Sequence, residues 1–388
     1  MLPNPSSPRC LSRRQAVRAG LALAALGCGH TARAQAAGVS DNRVLFGHTG
    51  ILSGPLGVPV KAVLAGAKLA IDAANARGGP AGRRIELLQR DDELVPAKAA
   101  ANAKALLGDD KVFGFFCNVG SGTSAAVAPL LAASGAPLVG GFAVADSVRD
   151  KLKGSAYLLR ATTGRELQVL VQHVKTIGIT RLAVAQLDNP GGAEVATLFA
   201  AAVKEAGLQA VASVPLKIDG SNAEAAAKTL VAGQAQAVLM YLSGTLTGNL
   251  MQACLAADYR PAFFGTSIVP GEATAKMLGD KVRGLAISQI TPYPWSGSEA
   301  VSIEYRALST KAGVPPGYLS FEGYLNGLLL VEALQRCGRE LTRERLHATL
   351  RGLKLRLAGM PLDFTGGAVT GSRFVDLVQV TAQGTFIR

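Results

Sequence analysis

The stretch 118–124 (Asn-Val-Gly-Ser-Gly-Thr-Ser) has the residue types of an anion-binding turn. It contains Asn118, Gly120, Ser121 and Thr123, and it lies between an apolar strand and a helical segment. Free backbone N–H groups and the positive end of a helix attract an anion, and hydroxyl groups add hydrogen-bond donors. Ser and Thr are also preferred as ordinary helix N-caps, which is the alternative interpretation. We predict that this turn binds the anionic part of a ligand.

Further candidate ligand-binding residues lie at the ends of predicted strands or in the loops that follow them, because ligands of α/β sheets bind beyond the carboxyl ends of the strands. These candidates are Ser53, Phe142, Ala143, Val144, Asp188, Tyr241, Ser243 and Ser267. Phe142 is a candidate for stacking on the ligand, and Asp188 for supplying charge. Internal packing explains the phenylalanine equally well, and turn formation is the favoured interpretation of the aspartate.

The sequence does not indicate catalysis, a metal site or a cofactor. The histidines beyond residue 36 are His48, His173 and His347, which are too dispersed to predict a metal cluster. Asp91 and Asp92 end a predicted strand, where capping or solvation explains them. Neither a nucleophile elbow nor a phosphate-binding loop with a Gly-Lys pair occurs. We therefore expect a binding protein without catalytic residues, metal or cofactor.

Short apolar strands alternate with amphipathic helices along the chain, which predicts βαβ units and parallel sheets. One series runs from 43–48 to 137–140, and a second runs from about 162 to 284–288. The end of the chain, 374–387, is predicted to form a β-hairpin. The fold class is therefore α/β, with two doubly wound lobes, as the length of 388 residues also suggests.

Composition and charge exclude several classes of protein. Hydrophobic residues make up 49% and charged residues 17% of the chain, which suits a globular protein rather than a disordered one. The formal net charge is +13, but no basic run is interleaved with aromatic residues, so a solvated surface is favoured over nucleic-acid binding. The five cysteines include no CxxC pair, which argues against a zinc knuckle or a redox pair.

Residues 1–36 have the pattern of a cleavable signal peptide. A basic, acid-free segment precedes the short apolar run 19–29, and A-x-A patterns end at Ala34 and Ala36. Eleven apolar residues are too few to span a bilayer as a helix. Arg13-Arg14 leaves a twin-arginine export route open. We expect a soluble periplasmic protein with no membrane span in the mature chain.

Several motifs occur in an order and spacing typical of one family. They are Thr49-Gly50-x-x-Ser53-Gly54-Pro55, Gly78-Gly79, Asp91-Asp92, Pro96-Ala97-Lys98-Ala99, Glu322-Gly323-Tyr324, Glu332-Ala333-Leu334 and Leu341-Thr342-Arg343-Glu344. From about 41 to 388, the chain resembles the leucine/isoleucine/valine-binding type of periplasmic solute-binding protein, which has the type I fold.

The resemblance implies two α/β lobes joined by three crossovers, with the ligand in a cleft that closes by a hinge. Mapped onto this chain, lobe one would comprise 41–161 plus 290–360, and lobe two 162–289 plus 361–388. It also implies a monomer that carries a small-molecule ligand to an inner-membrane ABC permease. The turn 118–124 matches the carboxylate-gripping loop of the family.

Other positions depart from the family pattern. Ala143 and Val144 stand where a hydroxyl is expected, Ser267 stands where an acid is expected, and Gly191 or Gly192 replaces an aromatic residue. Of the two cysteines of the family disulfide, Cys117 is present and leucine occupies the other position. Burial of an ammonium group without a carboxylate is costly, so ligands that lack an ammonium group must be considered as well. Branched-chain amino acids, aromatic carboxylates and small amides all remain open.

Two other functions remain as alternatives. The residues from Gly120 to Ala125 fit a dinucleotide-binding G-x-G-x-x-A pattern between a strand and a helix, although no acid ends the following strand. An exported dinucleotide-dependent enzyme is thus one alternative. The other is a ligand-sensing module that signals to a receptor, which the fold alone does not distinguish from a transport component.

Overall fold

The computed structural model describes residues 36–388, so the predicted leader, except its last residue, lies outside the described residues. The strands are β1 Arg43–Gly50, β2 Arg84–Asp91, β3 Gly114–Val119, β4 Leu138–Phe142, β5 Ala156–Tyr157, β6 Arg181–Leu187, β7 Gln209–Leu216, β8 Ala237–Tyr241, β9 Ala262–Gly265, β10 Ala286–Gln289, β11 Lys354–Leu357, β12 Met360–Asp363, β13 Asp376–Val380 and β14 Phe386–Ile387. The helices are α1 Gly54–Ala76, α2 Pro96–Gly108, α3 Ser121–Ser134, α4 Asp146–Lys151, α5 Thr163–Thr176, α6 Pro190–Glu205, α7 Ala223–Gly233, α8 Leu246–Ala256, α9 Gly271–Leu278, α10 Ala300–Ala312, α11 Tyr318–Cys337 and α12 Arg343–Arg351.

The strands form two large sheets, one in each lobe. Sheet one has the order β2-β1-β3-β4-β5, and its adjacent strands are parallel. Sheet two has the order β14-β13-β10-β9-β8-β6-β7, in which β13 and β14 are antiparallel additions to a parallel core. The prediction of two doubly wound α/β lobes is therefore confirmed, as is the C-terminal hairpin.

Neighbouring residues of the central strands of sheet one face opposite helical layers, because side chains alternate along a strand. Phe46 and Phe116 are buried in the same core cluster as α1 and α11. Leu45 and Phe115 instead pack with the α2 and α3 residues of a second cluster. A sheet that is covered on both faces requires continuously apolar strands, and β3 is buried at every position.

Helices α1 and α11 cross at very short range because each contributes a glycine. A Cβ atom on Gly66 would lie 1.7 Å from the carbonyl oxygen of Ser320, and one on Gly323 would lie 1.7 Å from that of Val63. Any larger residue would force the two helices apart. The close crossing accounts for the glycine at position 323 of the motif. It also fixes the position of the adjacent Glu322 on α11.

The chain passes between the two sheets three times, after β5, after β10 and before β13, as the resemblance implied. The residue limits of the two lobes remain a prediction. Elements that the sequence did not predict include the short helix α4, the helices α9 and α12, and the β11–β12 hairpin. No helix within 36–388 combines the length and apolar character needed to cross a membrane.

Candidate functional site

A cavity of about 170 Å³ lies between the lobes, beyond the carboxyl ends of the strands of both sheets. Its walls include residues at the ends of β3, β4, β6 and β8. In each sheet the strand order reverses next to one of these strands, between β1 and β3 in sheet one and between β6 and β8 in sheet two. Such switch points are where open α/β sheets bind ligands.

The lobe-one wall is the first turn of α3. Gly120 precedes the helix with a φ of 87°, a left-handed conformation that favours glycine. The N–H groups of Ser121, Gly122 and Thr123 have no intrahelical acceptor, and no backbone carbonyl of the described chain accepts from them. The turn therefore presents unpaired donors and the positive end of the helix to the cavity.

The hydroxyl groups of this turn are already hydrogen-bonded within lobe one. Ser121 Oγ accepts from the Ala145 N–H at 3.0 Å and donates to the Ala143 carbonyl at 3.3 Å. Thr123 Oγ1 bonds to the carbonyl oxygens of Val119 and Gly120. Both hydroxyls therefore hold the turn in shape, and the backbone N–H groups are the donors left for an anion.

The lobe-two wall carries two buried hydroxyl groups without partners. Tyr241 is 4% exposed and Ser243 is 7% exposed, and both line the cavity. Neither hydroxyl has a hydrogen-bond partner within 36–388. Burial raises the pKa of Tyr241 to about 12, so its phenol is neutral and able to donate. Both hydroxyls line the cavity without a protein partner in the described chain, so they are available to a ligand.

The rest of the lining is mostly apolar. Besides Phe142 and Ala143, it comprises Ile51, Leu56, Val60, Leu94, Pro96, Val119, Leu187, Pro190, Ile218 and Ile268. A ligand with a predominantly apolar body fits such walls, because the hydrophobic effect favours its transfer from water.

The two lobes touch each other at the rims of the cavity. A Cβ atom on Gly191 would lie 2.8 Å from Ser121 Oγ in the other lobe. On the same side, the Ser147 N–H donates to Glu194 at 2.9 Å across the lobes. A Cβ atom on Gly244 would lie 3.0 Å from the Pro55 carbonyl. The cavity is thus bounded on two sides by contacts that exist only when the lobes are together.

A buried network of charges lies behind the Phe142 wall. Arg160, in the first crossover, pairs with Glu322 of α11 at 3.0 Å and with Glu166 of α5 at 3.5 Å. Its guanidinium lies 5.2 Å from the centroid of the Phe142 ring. Burial opposes the charge of Arg160, but Glu322 and Glu166 raise its pKa, so it stays protonated.

Ser267 belongs to this network. Its N–H donates to Glu166 Oε2 at 2.7 Å, and its hydroxyl donates to Glu166 Oε1 at 3.0 Å. Ser288 donates to Glu166 Oε2 at 2.7 Å. Since Ser267 is committed to Glu166, the neighbouring residue Ile268 faces the cavity instead.

The structure brings seven of the twelve predicted site residues together on the cavity wall. They are Gly120, Ser121, Thr123, Phe142, Ala143, Tyr241 and Ser243.

The other five lie elsewhere. Ser53 is exposed and hydrogen-bonds Asp91, and Asp188 is exposed. Asn118 is buried and accepts from the Thr49 N–H, Val144 packs in the core of lobe one, and Ser267 bonds Glu166. The part that each of the twelve residues plays in ligand binding remains a prediction.

Sequence reasoning missed the apolar residues of the wall. Ile51 directly follows β1, and Ile218 and Ile268 follow β7 and β9 by two and three residues. Their positions after strands were the available indication, but isolated apolar loop residues look like ordinary packing. Leu94, at the position of the missing cysteine, also lines the cavity.

Comparisons with known proteins bear on the family and the fold. The family model for periplasmic binding proteins matches residues 44–385. A Leu/Ile/Val-binding protein homolog 7 from Brucella abortus (strain 2308) is 25% identical over 303 residues, which cover 73% of this chain and 75% of that protein.

Solved structures share the fold. A substrate-binding periplasmic protein from Ralstonia solanacearum has a TM-score of 0.83 at 25% identity, covering 89% of this chain and 99% of that one. An extracellular ligand-binding receptor from Verminephrobacter eiseniae ef01-2 has a TM-score of 0.81 at 26% identity, covering 89% and 100%.

Proposed function

Because the chain belongs to the periplasmic binding protein family, we propose that it is the solute-binding component of an ABC importer. The observation that supports this proposal most directly is the cavity between the lobes. It is lined by the unpaired N–H groups of α3 on one wall and by the unpaired hydroxyls of Tyr241 and Ser243 on the other. Donors on both walls allow one ligand to bridge the lobes and hold them closed.

The solute is a small carboxylate with an apolar body. Its carboxylate binds at the first turn of α3, where the helix dipole and three N–H groups favour negative charge. Its body packs between Leu56, Val60 and Leu187, which line the cavity. Closure excludes water from the apolar walls and brings Gly191 against Ser121. The closed, loaded protein then docks on an inner-membrane permease.

The protein acts in the periplasm as a monomer and is not an enzyme. The basic and apolar segments of residues 1–36 direct its export and are removed. Within 36–388, no group of three or more His, Cys, Asp and Glu side chains is arranged to hold a metal ion. The cavity contains donors and apolar surface, which suit reversible binding.

The proposal is tested by a thermal-shift screen of the purified protein. The panel contains short and aromatic carboxylic acids, amino acids, amides and NAD(P). A ligand at a hundred times its dissociation constant adds about 2.7 kcal/mol of stability, which the method detects easily. We expect shifts with carboxylates. A shift with NAD(P) alone would replace the transport function with a dinucleotide-dependent one.

A further inference from the structure

The charge of the cavity wall distinguishes one kind of carboxylate from another. Among residues 36–388, no Asp or Glu side chain lines the cavity. The polar groups that do line it are the α3 turn, the hydroxyls of Tyr241 and Ser243, and Asn189. Asn189 Oδ1 accepts from the Gly192 N–H at 2.9 Å. The wall therefore offers hydrogen bonds but no negative charge.

The acidic side chains in the buried network behind this wall, and the one beside it, are already paired with protein groups. Both oxygens of Glu166 accept hydrogen bonds from the two serines of the network, as described above. Glu322 accepts from Arg160 at 3.0 and 3.3 Å. The two oxygens of Asp146 accept from the N–H groups of Thr163 and Gly164, each at 2.9 Å.

The charged group that stacks on the cavity wall is a cation. The guanidinium of Arg160 contacts the face of Phe142, whose ring lines the cavity. An ammonium group on a bound solute would meet hydroxyl groups, the side chain of Asn189 and apolar carbon, with no carboxylate among the described lining residues. Burial of an ionised ammonium without a paired charge is strongly unfavourable. A carboxylate meets the helix end and unpaired donors, which favour it.

From these contacts we infer that the solute is a monocarboxylic acid without an ammonium group, and that the cavity selects it against the amino acid of the same skeleton. This inference rests on the proposed function. Tyr241 and Ser243 are the specificity-determining residues. They place neutral hydroxyl groups on the lobe-two wall, whereas binding of an ammonium group would require a carboxylate there. A cavity of about 150 Å³ with apolar walls accepts benzene, so the volume of about 170 Å³ fits one ring or one branched chain.

Matched pairs of ligands test the inference on the unmodified protein. Isothermal titration at pH 7.5, after any bound solute is removed by unfolding and refolding, compares 4-methylpentanoate with leucine and 3-phenylpropanoate with phenylalanine. Each pair differs only by the ammonium group. We expect the acid of at least one pair to bind at least about tenfold more tightly than its amino acid, given the cost of an unpaired charge.

Binding of the amino acids as tightly as the acids would overturn the inference and leave solute capture intact. Absence of binding by all four compounds would overturn both. A third compound, 4-methylpentanamide, tests the negative charge, and its binding as tightly as 4-methylpentanoate would also overturn the inference.

Two variants of one position test the specificity determinant. Ser243→Asp places a carboxylate on the wall, and Ser243→Asn adds a neutral group of similar size. We expect the aspartate variant to lower the ratio of 4-methylpentanoate affinity to leucine affinity at least about tenfold, and the asparagine variant to preserve it. An unchanged ratio in a folded aspartate variant, judged by circular dichroism, would contradict the assignment of Ser243.

Discussion

Gly191 of lobe two lies against Ser121 of lobe one, so that a Cβ atom on Gly191 would be 2.8 Å from Ser121 Oγ. Ser121 cannot turn away without losing its hydrogen bonds to Ala143 and Ala145. The closed arrangement of the lobes thus requires a residue without a side chain at position 191.

Replacement of Gly191 by alanine is expected to weaken solute binding by hindering closure. Overpacking typically costs about 1–3 kcal/mol, which corresponds to about a 5- to 150-fold loss of affinity. Titration with 4-methylpentanoate measures the loss. Gly108→Ala is the control, because a Cβ atom there meets nothing within 4 Å. Equal affinities of the two variants would contradict the proposed closure contact.

Removal of the Tyr241 hydroxyl is expected to affect binding and not folding. Tyr241→Phe breaks no hydrogen bond of the free protein, so its unfolding free energy should be unchanged. Loss of a hydrogen bond to the ligand should weaken binding by about 1 kcal/mol. Tyr259→Phe is the converse control, because Tyr259 donates to the Ala235 carbonyl and lies outside the cavity lining. Weaker binding by the Tyr259 variant alone would contradict the site.

The Arg160 network is expected to be essential for stability. Arg160→Met leaves Glu166 and Glu322 buried without their cation, and breaking a buried ion pair in this way costs about 3–5 kcal/mol. Urea denaturation measures the loss. Arg283→Met removes an exposed pair with Asp280, in which both side chains are more than 70% exposed, and should cost less than about 1 kcal/mol. Similar losses of unfolding free energy for both variants would contradict the stabilising role of the buried Arg160 network.

His48 is expected to make the fold acid-sensitive. Its ring is buried and its Nδ1–H donates to the Phe116 carbonyl at 3.1 Å, while burial lowers its pKa from 6.5 to about 4. Between pH 6.5 and 4 the unfolded chain binds more protons than the folded one at this residue. Stability is therefore lost as the pH falls through this window, by about 3 kcal/mol in total.

The measurement for this prediction is the slope of unfolding free energy against pH. His48→Gln should flatten the slope between pH 4 and 6.5, whatever its effect at pH 7.5. His173→Gln, a change of a half-buried histidine on α5, serves as the control. An unaltered slope in the His48 variant would contradict the assignment.

Much of the fold follows from the sequence because its determinants are local. Apolar strands such as β3 and the helices between them are visible as periodic patterns. The α3 turn is recognisable for the same reason, since its glycines and hydroxyls are adjacent in the chain. Tyr241 and Ser243 were found because they end a strand or directly follow it.

The rest of the site depends on contacts between distant residues. Arg160 and Glu322 are separated by 162 positions, and nothing local marks them as partners. Ser267 stands after a strand like a ligand-binding residue, but Glu166 takes both its N–H and its hydroxyl. The apolar walls were missed because Ile218 or Leu94 becomes a ligand contact only when the lobes face each other.

The most direct test of carboxylate capture removes one backbone N–H from the first turn of α3. Proline is tolerated in the first helical turn, so Gly122→Pro deletes a donor, whereas Gly122→Ala adds a side chain and keeps the N–H. Titration with 4-methylpentanoate should show an affinity loss of about 1.5–3 kcal/mol for the proline variant relative to the alanine variant. Equal affinities for the two folded variants would contradict the binding of the carboxylate at this helix end.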